Sequence, residues 1–353
     1  MARDTVRVGI VGAGWMGVVH ATGWQSNTPR GEIAAVADVS EDRARHIVNR
    51  FASGRAKIYP DLDALLADPS IDAVDICLPH HLHTDAILKA AAAKKAILCE
   101  KPICLSLDDA ARIKSALAET GTIFQAAHNQ LFQPSLIEAR RLLDDGALGR
   151  VFVIRSIEAG QNRGFKTGRP PIEMGAGDSS WGWRSDPSKS GGGEVLDTGW
   201  HGTYRLLALA NDRPVEVTAM TGQYFVKQID VEDTGLILIR FASGIIGEIV
   251  TSWAFGLASG WQFEVAGEHG SLAGNARRLI HQLTGWAQPA ERANEPVVTY
   301  TREITHFIDV LLRGEPVAAG VDQAIRVLQL IRGAYRSAEE RRTISLPEDP
   351  TQL

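Results

Sequence analysis

The sequence predicts an α/β fold: a doubly wound parallel sheet in the first part of the chain, then a second domain built on a mostly antiparallel sheet. Three observations carry this. Over residues 1–126 short apolar runs alternate with helix-like segments, the pattern of βαβ units. The first of these runs ends in a glycine-rich turn that opens a helix. Beyond residue 214 strand-like runs follow one another with turn residues between them, as antiparallel neighbours do.

The elements follow in order. Val6 to Val11, Ile33 to Ala37, Ala73 to Leu78, Ala96 to Cys99 and Thr122 to Ala127 read as the parallel strands. Asp61 to Ala67 has an acidic start and is stopped by Pro69; His83 to Ala93 ends in Lys94-Lys95, which suits a helix C-terminus. Ser106 to Glu119 has a serine cap, acids in its first turn and Gly121 after its end. The texture then changes. Pro134 to Asp144 reads as a helix and Val151 to Ile157 as a strand. Gly160 to Gly193 is a Gly/Pro/Ser-rich loop carrying Trp181 and Trp183, and a loop of that length in a compact domain is usually functional or disordered. The tryptophans argue for a packed loop. Val215 to Met220, Gly235 to Phe241, Ile245 to Trp253 and Trp261 to Ala266 read as strands, with Ser243-Gly244 and His269-Gly270 as hairpin turns. Residues 283–298 read as a polar surface loop, and Ile304 to Leu312 and Asp322 to Ala338 as closing helices. The expected boundary divides the chain into 1–126 and 127–353, the closing helices being free to pack back on the first part.

Composition narrows the function. The chain has 353 residues, enough for two ordinary cores. Its formal charge of −5 argues against a general nucleic-acid binder. Three cysteines (Cys77, Cys99, Cys104) fit a reducing compartment and exclude a disulfide framework. With no signal-peptide pattern and no apolar run near membrane-spanning length, a soluble cytoplasmic protein is expected.

Several motifs carry chemistry. Gly12-Ala13-Gly14-Trp15-Met16-Gly17 fits G-x-G-x-x-G between a strand and a helix. There glycines permit a tight turn and a close approach to a pyrophosphate, and the helix N-terminus supplies donors. Asp38 follows the second strand at the spacing of an acid that accepts from an adenosine ribose. Its carboxylate would repel a 2′-phosphate, so NAD is favoured over NADP, with Arg43 and Arg45 nearby. Leu78-Pro79-His80-His81-Leu82-His83 follows a strand end; with no partner cluster, no metal is assigned, and His80 and His83 are expected to line the cofactor cleft or cap the next helix. Glu100-Lys101-Pro102 follows another strand end, where ligands of open α/β sheets gather, and makes Lys101 a candidate general base. The alternative is an exposed lysine at a turn. Asn129, after the last parallel strand, is expected to face the cleft, the alternative being a polar turn between domains. If Glu194 to Ala210 is a helix, Asp197 and His201 project from one face, where a carboxylate orients an imidazole. Trp183-Arg184 offers an indole face and a guanidinium to a ring or an anion, core packing being the alternative.

Together, G-A-G-W-M-G (12–17), Asp38, L-P-H-H-L-H (78–83), C-E-K-P (99–102) and G-G-G-E-V-L-D-T-G-W-H (191–201) resemble the glucose–fructose oxidoreductase / inositol dehydrogenase / MocA (Gfo/Idh/MocA) family over nearly the whole chain. The resemblance implies an NAD(P)-binding Rossmann domain over 1–126 and, over 127–353, a C-terminal α/β domain for substrate binding and oligomerisation with a large open, mostly antiparallel sheet. It also implies NAD(P)-linked oxidation or reduction of a sugar, cyclitol or related polyol. It makes Lys101 the catalytic lysine, Asp197 and His201 the substrate-site pair and Glu100 a cofactor-cleft residue. Trp183-Arg184 is similar to a W-R pair close to the nicotinamide in some members. His128-Asn129-Gln130-Leu131-Phe132 departs from the N-x-R-F-like stretch of many members, which bears on substrate contacts there.

The expectation is a dehydrogenase in which Lys101 takes the hydroxyl proton, His201 contacts the same or an adjacent hydroxyl and Asp197 fixes His201, with loop 160–193 closing over the sugar. Two alternatives stand beside it: a redox-neutral enzyme that retains NAD, of the oxidation–elimination glycosidase or epimerase kind, and a non-catalytic NAD-sensing regulator. A homodimer or homotetramer is expected, with no nucleic-acid or membrane partner.

Overall fold

The computed structural model describes residues 4–160, 180–184, 186–225 and 230–353, without the side chains of Ser180 and Trp181. The body of the expected loop, residues 161–179, lies outside the described residues, as does the packing expected of Trp181. Along the chain come β1 (Val6–Val11), α1 (Trp15–Ser26), β2 (Gly31–Ala37), α2 (Glu41–Phe51), β3 (Lys57–Tyr59), α3 (Leu62–Leu66), β4 (Ala73–Ile76) and α4 (His83–Ala92). Then follow β5 (Ala96–Cys99), α5 (Leu107–Thr120), β6 (Phe124–Ala126), α6 (Pro134–Asp144), β7 (Val151–Ala159), the short helices α7 (Ser180–Arg184) and α8 (Pro187–Ser190), and α9 (Gly199–Ala210). Strands β8 (Pro214–Gly222), β9 (Thr234–Phe241), β10 (Ile246–Ser252), β11 (Phe263–Gly267), β12 (Gly270–Gly274), β13 (Arg278–Leu283) and β14 (Ala290–Ala293) precede α10 (Thr299–Arg313), α11 (Val321–Glu340) and β15 (Ile344–Ser345).

The described residues form two compact units. The first holds residues 4–129, 180–184 and 298–324. Its six-stranded sheet has the order β3-β2-β1-β4-β5-β6, and every pair is parallel. Order reverses beside β1, the switch point at which such sheets bind ligands. Local signals set its helices: Ser40, Asp61 and Ser106 cap α2, α3 and α5 through their side chains, and Gly121 ends α5 at φ +65°. Val8, Ile10, Val36 and Ile47 share one core with Ile304, Phe307 and Ile308, so α10 supplies part of the first unit's interior.

The second unit holds residues 130–160, 186–225, 230–297 and 325–353. Its nine-stranded sheet runs β14-β13-β12-β11-β7-β10-β9-β8-β15; β7 and β10 pair in parallel and the other pairs are antiparallel. Helix α9 lies on one face, where Arg205, fully buried, bonds Ser156, Ile157 and Glu158 of β7 and Gln130. Two expectations change. Residues 283–298 are not all loop, because β14 pairs with β13 along a polar edge. Residues 194–198 are not helical, and α9 begins only at Gly199. Among the described residues no helix is long and apolar enough to cross a membrane.

Candidate active site

The turn between β1 and α1 needs its glycines for different reasons. Gly12 has φ +97°, and a Cβ there would lie 2.6 Å from the Cys77 carbonyl oxygen. A Cβ on Gly17 would fall 2.1 Å from the Gly12 carbonyl oxygen, so this glycine lets α1 close on the strand. Gly14 is different: a Cβ there would meet nothing within 4 Å. Gly14 is also the N-cap of α1 and supplies no side-chain cap, which leaves the first-turn amides of Trp15 and Met16 and the positive end of the helix dipole to a ligand. Asp38, just past β2, accepts from the Ala13 N–H at 2.7 Å through Oδ2 and from the Ser40 N–H at 2.7 Å through Oδ1. Arg43 pairs with the same Oδ1 at 3.1 Å. The carboxylate expected at a ribose therefore also ties the glycine turn to the end of β2.

The loops after β4 and β5 carry the next group. Lys101 is half-buried, and its N–H donates to Glu100 Oε2 at 3.0 Å. Glu100 is buried, and its Oε1 lies 3.1 Å from His20 Nε2. Burial alone would raise the Glu100 carboxyl; the bond and charge of His20, helped by Lys101, outweigh it and hold the group below its ordinary value. His83 does not offer a ring nitrogen to the cleft. It is fully buried, with Nδ1 2.6 Å from the Pro102 carbonyl and Nε2 2.8 Å from the Leu78 carbonyl, and so pins the two loops together. Burial pushes its imidazole below the usual range, outweighing the two carbonyls, which favour the protonated ring. His128 is pushed down to about 3, first by burial and then by the charge of Lys101. The buried Asn129 donates to Thr299 Oγ1 of α10 at 2.9 Å. Leu78 and Pro79 are half-buried on the loop that leads to His80. His80 meets the Trp183 indole edge-on at 4.4 Å, and the Arg184 guanidinium lies 4.3 Å from the same indole. The structure thus brings His80, Trp183 and Arg184 together within the first unit.

In the second unit two carboxyls, the buried Glu194 and the half-buried Glu232, hold the Gly193–Gly199 segment. Glu232 accepts from the N–H groups of Gly193 (3.1 Å) and Val195 (3.0 Å) and from the Tyr335 hydroxyl (2.7 Å). Glu194 accepts from the Thr198 and Thr251 hydroxyls, and Trp253 Nε1 donates to Thr198 Oγ1 at 2.7 Å. Burial pushes the Glu194 carboxyl well up, and Asp197 and Glu158 add to this. Asp197 lies in the turn before α9, its N–H donating to the Gly193 carbonyl at 3.0 Å, so Asp197 and His201 do not share one helix as expected. His201 Nδ1 lies 2.8 Å from the Tyr204 hydroxyl, whose oxygen also accepts from the Gln130 N–H at 3.1 Å. Tyr204 is therefore a support of His201 that the sequence reading missed, although it stands three residues away on the same helix face.

Residues 6–128 match the model of an oxidoreductase family with an NAD-binding Rossmann fold, and residues 136–273 match the Gfo/Idh/MocA C-terminal domain. The chain belongs to the Gfo/Idh/MocA oxidoreductase family. It is an oxidoreductase whose cofactor is NAD. This Gfo/Idh/MocA chain is 30% identical to the inositol 2-dehydrogenase of Rhizobium meliloti (strain 1021) over 355 residues, covering 97% of this chain and 99% of the relative. It is 27% identical to the myo-inositol 2-dehydrogenase of Thermotoga maritima over 356 residues, covering 97% and 99%. It superposes with a TM-score of 0.81 on GenD2 from gentamicin A biosynthesis, solved in complex with NAD, at 26% identity and 98% coverage of both chains. The residues present fit the dinucleotide: the open side of Gly14 and the uncapped start of α1 form a cradle that a side chain would fill.

Proposed function

We propose that the chain is an NAD-dependent dehydrogenase that oxidises a hydroxyl of a sugar, cyclitol or related polyol, with Lys101 as general base and Asp197 and His201 as its substrate-site pair. The observation that carries the reading is that Lys101 follows the end of β5 on the same edge of the parallel sheet as the glycine turn after β1. Support for the substrate class comes from the two inositol dehydrogenases to which the chain is similar over nearly their whole length. Gly12, Gly14, Gly17 and the first-turn amides of α1 would hold the pyrophosphate, Asp38 a ribose, and the loops at Leu78–His80 and Glu100–Lys101 the nicotinamide end. NAD, when bound, supplies the acceptor for the hydride. Lys101 takes the hydroxyl proton as the carbinol carbon becomes a carbonyl. His201 hydrogen-bonds the same or a neighbouring hydroxyl through Nε2, with Tyr204, in place of Asp197, holding the ring from Nδ1; Asp197 is then an acceptor for a substrate hydroxyl.

A panel of cyclitols, aldoses and sugar acids, scored by absorbance of the reduced cofactor, tests the reading. Lys101→Ala should lower kcat on the best substrate by about 10²–10⁴-fold, far more than it weakens NAD binding. Near-normal turnover in that variant would remove Lys101 from the role, and turnover without release of reduced cofactor would replace the net oxidation by a redox-neutral reaction. We further propose a homodimer or homotetramer in which a second copy covers the outward face of the nine-stranded sheet.

A further inference from the structure

Beneath the Glu100–Lys101 turn lies a chain of buried ionisable groups. His20, on α1 and fully buried, has Nδ1 2.9 Å from both oxygens of Asp75 and Nε2 3.1 Å from Glu100 Oε1. Asp75, inside the apolar strand β4, also accepts from the Trp24 indole N–H at 2.7 Å through Oδ2, with the Cys77 thiol 3.6 Å from Oδ1. The last link is Glu100 Oε2, which accepts from the Lys101 N–H at 3.0 Å. From α10, Glu303 and the Tyr300 ring, 5.8 Å from the imidazole, face the same group.

A carboxylate can only accept hydrogen bonds. An imidazole with a carboxylate at each nitrogen donates from both, so the chain holds one proton more than a neutral histidine and two carboxylates would. Burying this many ionisable groups at best breaks even against apolar packing, so packing alone does not account for a chain that ends on the peptide of Lys101. We propose that His20 is a positioning residue for Lys101, acting through Glu100. Its imidazolium fixes the Glu100 carboxylate at one oxygen while the Lys101 N–H fixes it at the other. That sets the direction in which residue 101 leaves the strand and keeps an anion beside its ammonium. Without the imidazolium, the buried Glu100 takes up a proton and both effects are lost.

The inference rests on Lys101 as the base, and its test separates the two. His20→Asn and the milder Glu100→Gln are made in the full chain beside Lys101→Ala. Each is measured for kcat, for NAD affinity and for the rate of reductive methylation at Lys101 at one fixed pH, read by peptide mass spectrometry. His20→Asn and Glu100→Gln should each lose about tenfold to a hundredfold in kcat and hold NAD within a few fold. In both, the Lys101 methylation rate should rise by about twofold or more as the side chain is freed from its set position. A folded His20→Asn or Glu100→Gln protein with an unchanged methylation rate overturns the role of His20, even where Lys101→Ala is inactive. Turnover retained in Lys101→Ala overturns the base instead, while the methylation rate in the other two variants, which needs no substrate, still decides for or against His20.

Discussion

Both carboxyl oxygens of Glu303 are buried, and neither meets a hydrogen-bond donor among the described residues. Burial pushes this carboxyl well above its ordinary value, with Glu100 and Asp75 adding to the rise. The folded protein therefore keeps a proton that the unfolded chain releases as pH rises through the usual carboxylate range. The stability linked to that proton is whole at low pH and is lost as pH climbs toward the folded-state value. Glu303→Gln replaces a neutral acid by a neutral amide of the same shape. Its melting temperature should exceed that of the native protein at pH 8 by a few degrees, at about 2–4 °C per kcal/mol for a domain of this size. The gap should close toward pH 4, and parallel melting curves across that range would count against a protonated Glu303. The same scale shows what a sequence hides. The place of Lys101 just past β5 was legible because Glu-Lys-Pro follows an apolar run. His20 and Asp75 were passed over because each looks like a stray polar residue in an apolar element, and only their meeting across α1 and β4 gives them meaning.

Among elements, the β1–α1 turn separates what folding needs from what a ligand needs. Gly14→Ala adds a methyl group to open space at φ −77°, which any residue adopts, so the melting temperature without cofactor should hold while NAD affinity falls at least tenfold. Gly12→Ala places a Cβ against the Cys77 carbonyl in a left-handed conformation and should lower the melting temperature itself. Calorimetry with and without NAD reads both, and equal melting losses in the two variants would undo the distinction. This turn was legible from its spacing because few residues satisfy its backbone. The start of α9 was not. The stretch Glu194–Thr198 has helical composition, yet Glu232 and Glu194 hold its amides and hydroxyls in a turn, a tertiary grip that no local pattern announces. Strand β14 escaped for a related reason: three of its four residues are exposed, so it carries no apolar alternation to read.

For the whole molecule, the second sheet sets the behaviour in solution. Its face away from α9 carries exposed Leu236, Leu238 and Met220, with Arg155 between Glu248 and Glu264 beside them. An apolar area edged by charge is the usual character of a surface shared between copies. Light scattering should give a mass at least twice the 38.2 kDa of one chain, and Leu238→Glu should shift it toward the monomer. A native protein that stays monomeric at all concentrations would remove this surface from consideration. The first unit has a different consequence, in how the protein is made. Its interior takes Ile304, Phe307 and Ile308 from α10, which leaves the ribosome only after the whole nine-stranded sheet has been translated apart from β15. The nucleotide-binding half thus waits, with part of its apolar wall uncovered, until nearly the last stretch of synthesis. In that interval a chaperone has something to hold, and a gene fragment cut at the family-model boundary near residue 128 would express a domain without its own lining.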